Sequence, residues 1–120
     1  MDFFYDTYAI ISLIEGNENY NQYKNSIITT SILNFAELYN IFLRDQGKQT
    51  ANYWAKKLNF NLLEIDKDSM IKAVEFRFDN RKKDISLPDS VGYILSFKNN
   101  IKFLTGDSKF KNLKNVEFVK

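Results

Sequence analysis

The sequence predicts an α/β fold: a three-layer α/β/α domain built around a mainly parallel sheet of four or five strands. Three observations carry that prediction. The chain opens on a short aromatic run, Asp2-Phe3-Phe4-Tyr5-Asp6, whose lack of alternation marks a strand buried on both faces. Strand and helix patterns then alternate along the chain, and parallel strands need such crossovers. Finally, 120 residues with 44% hydrophobic content and no linker or repeat make one domain, residues 1–120, large enough to bury its own core.

Taken in order, Thr7 to Glu15 reads as a helix apolar on most sides and closed by Gly16, with Asn17 to Lys24 a polar, helical follow-on. Asn25 to Thr30 is a second strand, rich in β-branched residues, and Ser31 caps the helix that follows. That helix ends at Asp45-Gln46-Gly47, and Lys48 to Leu58 makes a further helix with Ala51, Trp54, Ala55 and Leu58 on one face. Phe60 to Ile65 is the third strand. Asp66 or Asp68 caps a helix through Met70, Ile71, Val74 and Phe78, and residues 79–85 form a charged loop. A new helix begins at Ser86-Leu87-Pro88-Asp89, where Pro88 suits the first turn and Ser86 with Asp89 has capping-box spacing. Ile101 to Thr105 is the fourth strand, Gly106-Asp107 turns at its end, and Val116 to Val119 is a short fifth strand.

The helix after Ser31 carries Ile32, Leu33, Phe35, Ala36, Leu38, Tyr39, Ile41, Phe42 and Leu43, so it is expected to be largely buried, with Glu37 in its middle. An ionised carboxylate there costs several kcal/mol unless something compensates it. Arg44, two turns on, is too far for an i, i+4 pair. Glu37 therefore needs company from elsewhere in the chain.

Composition prunes the chemistry that such a site can perform. With no cysteine and no histidine, the chain has no disulfide, thiolate nucleophile, imidazole base or Ser-His-Asp triad. Polar catalysis must rest on Asp, Glu, Lys, Tyr or a metal held by oxygen ligands. The net charge of +2 neither requires nor excludes nucleic acid, because Arg77, Arg81, Lys82 and Lys83 cluster in one stretch and Lys109, Lys111 and Lys114 in another. Their plain reading is a solvated surface. No apolar run is long enough to span a membrane and no leader pattern opens the chain, so the expected compartment is the cytoplasm.

In a parallel sheet, ligands bind beyond the carboxyl ends of the strands. Asp6, Glu37, Asp89 and Asp107 are all expected at that edge, or within about two turns of helix beyond it. Asp6, Asp89 and Asp107 each also stand where an acid caps a helix or turn; Glu37 does not. Carboxylates brought together repel, and an oxygen-seeking divalent cation, Mg²⁺ or Mn²⁺, is the natural way to neutralise them. Such an ion activates water toward a phosphodiester without histidine.

These residues carry a resemblance. Asp6-Thr7-Tyr8-Ala9-Ile10-Ile11, then Ser31 to Leu38, then L-P-D-S-V-G-Y-I-L ending in F-L-T-G-D-S-K-F, resemble the PIN domains of the VapC-type toxin group over essentially the whole chain. The resemblance implies a three-layer fold and a Mg²⁺- or Mn²⁺-dependent endoribonuclease. Asp6, Glu37, Asp89 and Asp107 would form its catalytic, metal-binding acids and Thr105 their polar neighbour. It also implies an RNA substrate, a homodimer and a small antitoxin that folds onto the protein. Two departures stand out: P-D-S-V-G-Y in the late helix, and Gly106 where relatives often carry a basic residue, which leaves Lys82, Lys83, Lys109 and Lys111 as candidates for the RNA backbone. Tyr8, Tyr39 and Trp54 are candidates for base stacking or for core. The competing readings are a PIN-like scaffold that binds RNA or protein without cutting, and a housekeeping RNA-processing nuclease. A phosphohydrolase is disfavoured, because Asp6-Thr7-Tyr8 lacks a second aspartate two residues on.

Overall fold

The structure is a computed structural model and describes residues 2–120. Five short strands are β1 (Phe3–Tyr5), β2 (Ile28–Thr30), β3 (Phe60–Leu62), β4 (Lys102–Thr105) and β5 (Val116–Phe118). Five helices are α1 (Thr7–Ile14), α2 (Ile32–Gln46), α3 (Lys48–Lys57), α4 (Lys67–Asp79) and α5 (Leu87–Lys98). The polar stretch after α1 is a 3-10 helix, Glu18–Tyr23, rather than an α-helix, and the charged loop holds a 3-10 turn at Arg81–Lys83.

Every strand pair among the described residues is parallel. β4 lies between β1 and β5, with Phe4 opposite Phe103 and Leu104 opposite Glu117, while β2 pairs with β3, Thr29 opposite Asn61. The two pieces lie side by side at β1 and β2, where the Thr30 hydroxyl donates to the Tyr5 carbonyl at 2.7 Å. The spatial order is therefore β3-β2-β1-β4-β5. From β1 the chain winds outward through β2 and β3, then crosses back to β4 and winds the other way. The switch point, where ligands bind in such sheets, falls between the carboxyl ends of β1 and β4.

Alternation along the strands feeds two cores. Tyr5 and Leu104 join Ala9, Ile10, Tyr20, Leu38 and Phe42 on one face; Phe4 and Phe103 join Ala73, Ile85, Val91, Leu95 and Phe110 on the other. Gly92 lets α5 lie close on the sheet, since a Cβ there would stand 2.6 Å from a Phe4 ring carbon. That accounts for the glycine in P-D-S-V-G-Y.

Helix α2 is less buried than its apolar content predicts. It packs against α1, α3 and α5, and only Asn34, Leu38 and Phe42 are fully buried. Ile32 is 51% exposed and Leu43 43% exposed, and with Ala36 they line a face that no neighbouring element covers. Apolar residues exceed what three neighbours can cover. Tyr39 and Trp54 are structural: the Tyr39 hydroxyl donates to Asn52 at 2.8 Å between α2 and α3, and both side chains pack on the first core.

Candidate active site

Asp6 leaves β1 and caps α1. Its backbone N–H donates to the Leu104 carbonyl at 3.2 Å, fixing it at the switch point, and its Oδ1 accepts from the Ala9 N–H at 2.8 Å. The side chain is buried, with the residue 1% exposed, and it has no cation partner among the described residues. Burial first, and then the charge of Asp89, push its carboxyl well above the ordinary carboxylate range. Asp107 adds to the rise, while hydrogen bonds from Thr105 and the Ala9 N–H oppose it.

Asp89 comes from the third position of α5, where Ser86 Oγ caps its N–H at 3.2 Å. Its carboxyl is pushed up to about 7, chiefly by burial and then by the charges of Glu37 and Asp107. Ser86 and the Lys109 ammonium pull the other way. Glu37 is half-buried on α2, one turn after the buried Asn34, and forms no ion pair among the described residues. Asp107 caps a 3-10 turn, Ser108–Phe110, by accepting from the Lys109 N–H at 3.0 Å.

Thr105 ties two of these acids together. It is fully buried at the end of β4, accepts from the Asp107 N–H at 3.0 Å and hydrogen-bonds to Asp6. One hydroxyl fills both roles, as acceptor and donor. All four predicted acids thus stand at one edge and act on one another electrostatically. Among the described residues, however, no three of them are gathered tightly enough to hold one ion directly.

The predicted basic residues separate. Lys109 stands by the acids: its charge acts on Asp89 and its Nζ donates to the Asp84 carbonyl at 2.8 Å. Lys83 backs it, donating to the Lys109 carbonyl at 3.4 Å. Lys82 is exposed on the same turn, whereas Lys111 turns to the ring of Phe118, 5.7 Å from its centroid. Gly106 is required by packing, because a Cβ there would overlap the Tyr8 ring and the Val119 carbonyl. A basic side chain has no room at that position.

Sequence reasoning missed a buried polar cluster beside the site. Asn34 accepts from Ser31 Oγ at 2.8 Å and reaches Thr7 Oγ1 at 3.4 Å, joining α2 to the residue after Asp6. The available signal was an amide three residues before Glu37 in an otherwise apolar helix, which places both on one face.

The donor set is all oxygen, from two strand ends and two helices. Asp6 and Asp89, both disfavoured as anions by burial and by other carboxylates, are a pair that a divalent cation would relieve. Magnesium accepts so few protein ligands because it keeps several waters. Two carboxylates of an all-oxygen set suit such an ion.

The fold is similar to several solved structures. That of VapC20 from Mycobacterium tuberculosis, described as a Sarcin-Ricin loop cleaving toxin, matches with a TM-score of 0.77 at 17% identity, over 99% of this chain and 100% of that one. A toxin-antitoxin complex from Klebsiella pneumoniae matches with a TM-score of 0.70 at 16% identity, over 98% and 96%. VapBC2 from Rickettsia felis, bound to a DNA fragment from its promoter, gives 0.70 at 17% identity over the full length of both chains. A comparison with curated proteins finds no match. The family model for the PIN domain matches residues 3–116, nearly the whole chain, and the protein belongs to that family.

Proposed function

We propose that this protein is a divalent-metal-dependent endoribonuclease, using Mg²⁺ or Mn²⁺, and the toxin of a toxin-antitoxin pair. The observation that carries the reading is Asp6, buried without a cation among the described residues at the switch point of the sheet, with Asp89 close enough to raise it further. A scaffold that only bound RNA or protein would gain nothing from such a pair, which costs stability.

Asp6 and Asp89 would hold the ion, and the charges of Glu37 and Asp107 beside Asp89 would add to the site's affinity for a cation. When bound, a divalent cation supplies Lewis acidity and an activated water for attack at phosphorus. The chain does the positioning. The Ala9 N–H and Thr105 orient Asp6, the Ser86 cap orients Asp89, and Lys109, pinned to the Asp84 carbonyl, is a cation ready for an RNA phosphate. Lys83 stands behind it, while Lys82 and Lys111 serve the flanking backbone. The likeness to toxin-antitoxin complexes supports a small antitoxin partner, and a homodimer and a cytoplasmic site of action complete the reading. No helix among the described residues is long and apolar enough to cross a membrane.

The test is cleavage of a panel of structured and single-stranded RNAs, with and without Mg²⁺ or Mn²⁺, by the wild type and by Asp6→Asn. Asparagine keeps the α1 cap but lacks the charge, so metal-dependent cutting should fall at least a hundredfold in a folded variant. Unchanged cutting in Asp6→Asn would remove the assignment.

A further inference from the structure

A cavity of about 350 Å³ lies between α4 and the turn that follows it, lined by Val74, Arg77, Phe78, Arg81, Asp84 and Ile85. None of these is among the acids and lysines assigned above. We propose that it is a nucleotide-binding subsite, which takes one unpaired nucleotide of an RNA strand flanking the bond to be cut. The base would stack on the Phe78–Arg81 pair and the phosphate would meet the two arginines.

Three observations converge. Phe78 is 64% exposed, a state that costs the free protein apolar hydration, and the Arg81 guanidinium lies over its ring 4.6 Å from the centroid. A guanidinium seated over an exposed aromatic ring offers a nucleotide a cation and a π face side by side. Second, the arginines are held in place yet carry no counter-ion. Arg77 Nε donates to the Ile85 carbonyl at 2.7 Å and Arg81 Nη1 to the Phe78 carbonyl at 3.0 Å. Neither forms an ion pair among the described residues. Arginines fixed by one nitrogen keep their other donors for an incoming anion.

Third, the cavity is wired to the acid edge. Asp84, on its rim, adopts a left-handed backbone (φ 53°), and its carbonyl takes the Lys109 ammonium whose charge acts on Asp89. Asp84 lies five residues before Asp89, so the two are within about 18 Å even for a fully extended chain. An RNA strand leaving the acids past Lys109 and Lys83 therefore meets the arginine-lined cavity within a few nucleotides. An acidic protein segment would satisfy the arginines as well, but the exposed Phe78 ring beneath Arg81 and the continuity with the acid edge favour a nucleobase.

This assignment rests on the nuclease reading, and binding measured apart from cutting separates the two. The full chain is titrated, in EDTA to prevent cleavage, into a fluorescein-labelled twelve-nucleotide single-stranded RNA of mixed sequence and followed by anisotropy. Phe78→Ala should weaken binding about tenfold. Arg81→Ala should also weaken it and lower the salt slope by about 0.7. Phe97→Ala, which removes an exposed ring from α5 instead, should bind as the wild type does, and thermal melts confirm that each variant is folded. Tenfold weakening confined to Phe78 and Arg81 supports the subsite, and it does so even if the wild type never cuts, an outcome that would sink only the nuclease reading. Wild-type affinity in Phe78→Ala overturns the subsite and turns the patch over to a protein partner, with cleavage left to decide the nuclease question. No RNA binding by the wild type overturns it too.

Discussion

Asp6 and Asp66 play the same local part and end in opposite chemistry. Each follows a strand, caps a helix and accepts the N–H three residues on at 2.8 Å. Asp66 is half-exposed and meets Lys98, which with Ser69 holds its carboxyl well below the usual range. Asp6 is buried, meets no cation among the described residues and is acted on by the charge of Asp89, and its carboxyl is pushed well above that range. A cap is a local device that four residues can specify. What the spare carboxylate oxygen then does is decided by tertiary neighbours, a lysine for Asp66 and other acids for Asp6.

The comparison can be broken most forcefully at Asp6. If the buried carboxylate is the catalytic one and the exposed one merely structural, Asp6→Asn abolishes metal-dependent cutting while Asp66→Asn leaves it intact and only lowers the melting temperature slightly. Loss of cutting in both variants would mean that the contrast between the two caps has no bearing on function.

Acid and base should also stabilise the two regions in opposite directions. Asp89 is pushed up to about 7, so between about pH 4 and pH 7 the folded, metal-free chain keeps a proton that the unfolded chain releases. Its contribution is fully present below about pH 4 and is lost as pH rises through 7, by an amount on the order of 4 kcal/mol. Asp66 has the reverse sign: its carboxyl is pushed down, so its stabilisation is full above about pH 4 and disappears as pH falls below that. Chemical denaturation of metal-free protein across about pH 2 to 8 checks both signs. Asp89→Asn should flatten the alkaline loss, and an unchanged slope in that variant would show that the acid edge is not under mutual repulsion.

A smaller effect sharpens the picture of how Asp6 is held. Thr105→Val keeps the shape of a buried residue but removes the hydroxyl shared by Asp6 and Asp107. Cutting should drop about tenfold, in line with the loss of one hydrogen bond to a charged group, and the pH at which activity rises should move upward because Asp6 has lost a donor that favours its anion. Activity and profile matching the wild type would reduce Thr105 to packing.

Much of this was legible before the structure. The caps at Ser31 and Ser86 could be read, and a third narrowed to Asp66 or Asp68, because capping is local, and the strand and helix order could be read because hydrophobic period and turn chemistry are local too. With every strand parallel, that order alone brings Asp6, Glu37, Asp89 and Asp107 to one edge. The proximity of Asp6 to Asp89 was not legible, since it depends on β4 lying next to β1 and on Gly92 letting α5 approach Phe4. Gly106 read as a lost phosphate contact, but its reason is the Tyr8 ring and the Val119 carbonyl, far apart in sequence. The exposed face of α2 was hidden for a similar reason. Apolar content says how much a helix would bury, and the number of neighbours says how much it can.

The most direct test of the central claim, that the buried cap is the metal-binding one, is a titration of Mn²⁺ into wild type, Asp6→Asn and Asp66→Asn, with free ion followed by electron paramagnetic resonance at pH 7.5. The account predicts binding by wild type and Asp66→Asn and at least tenfold weaker binding by Asp6→Asn. Equal affinity in all three, or no binding by any, would contradict it.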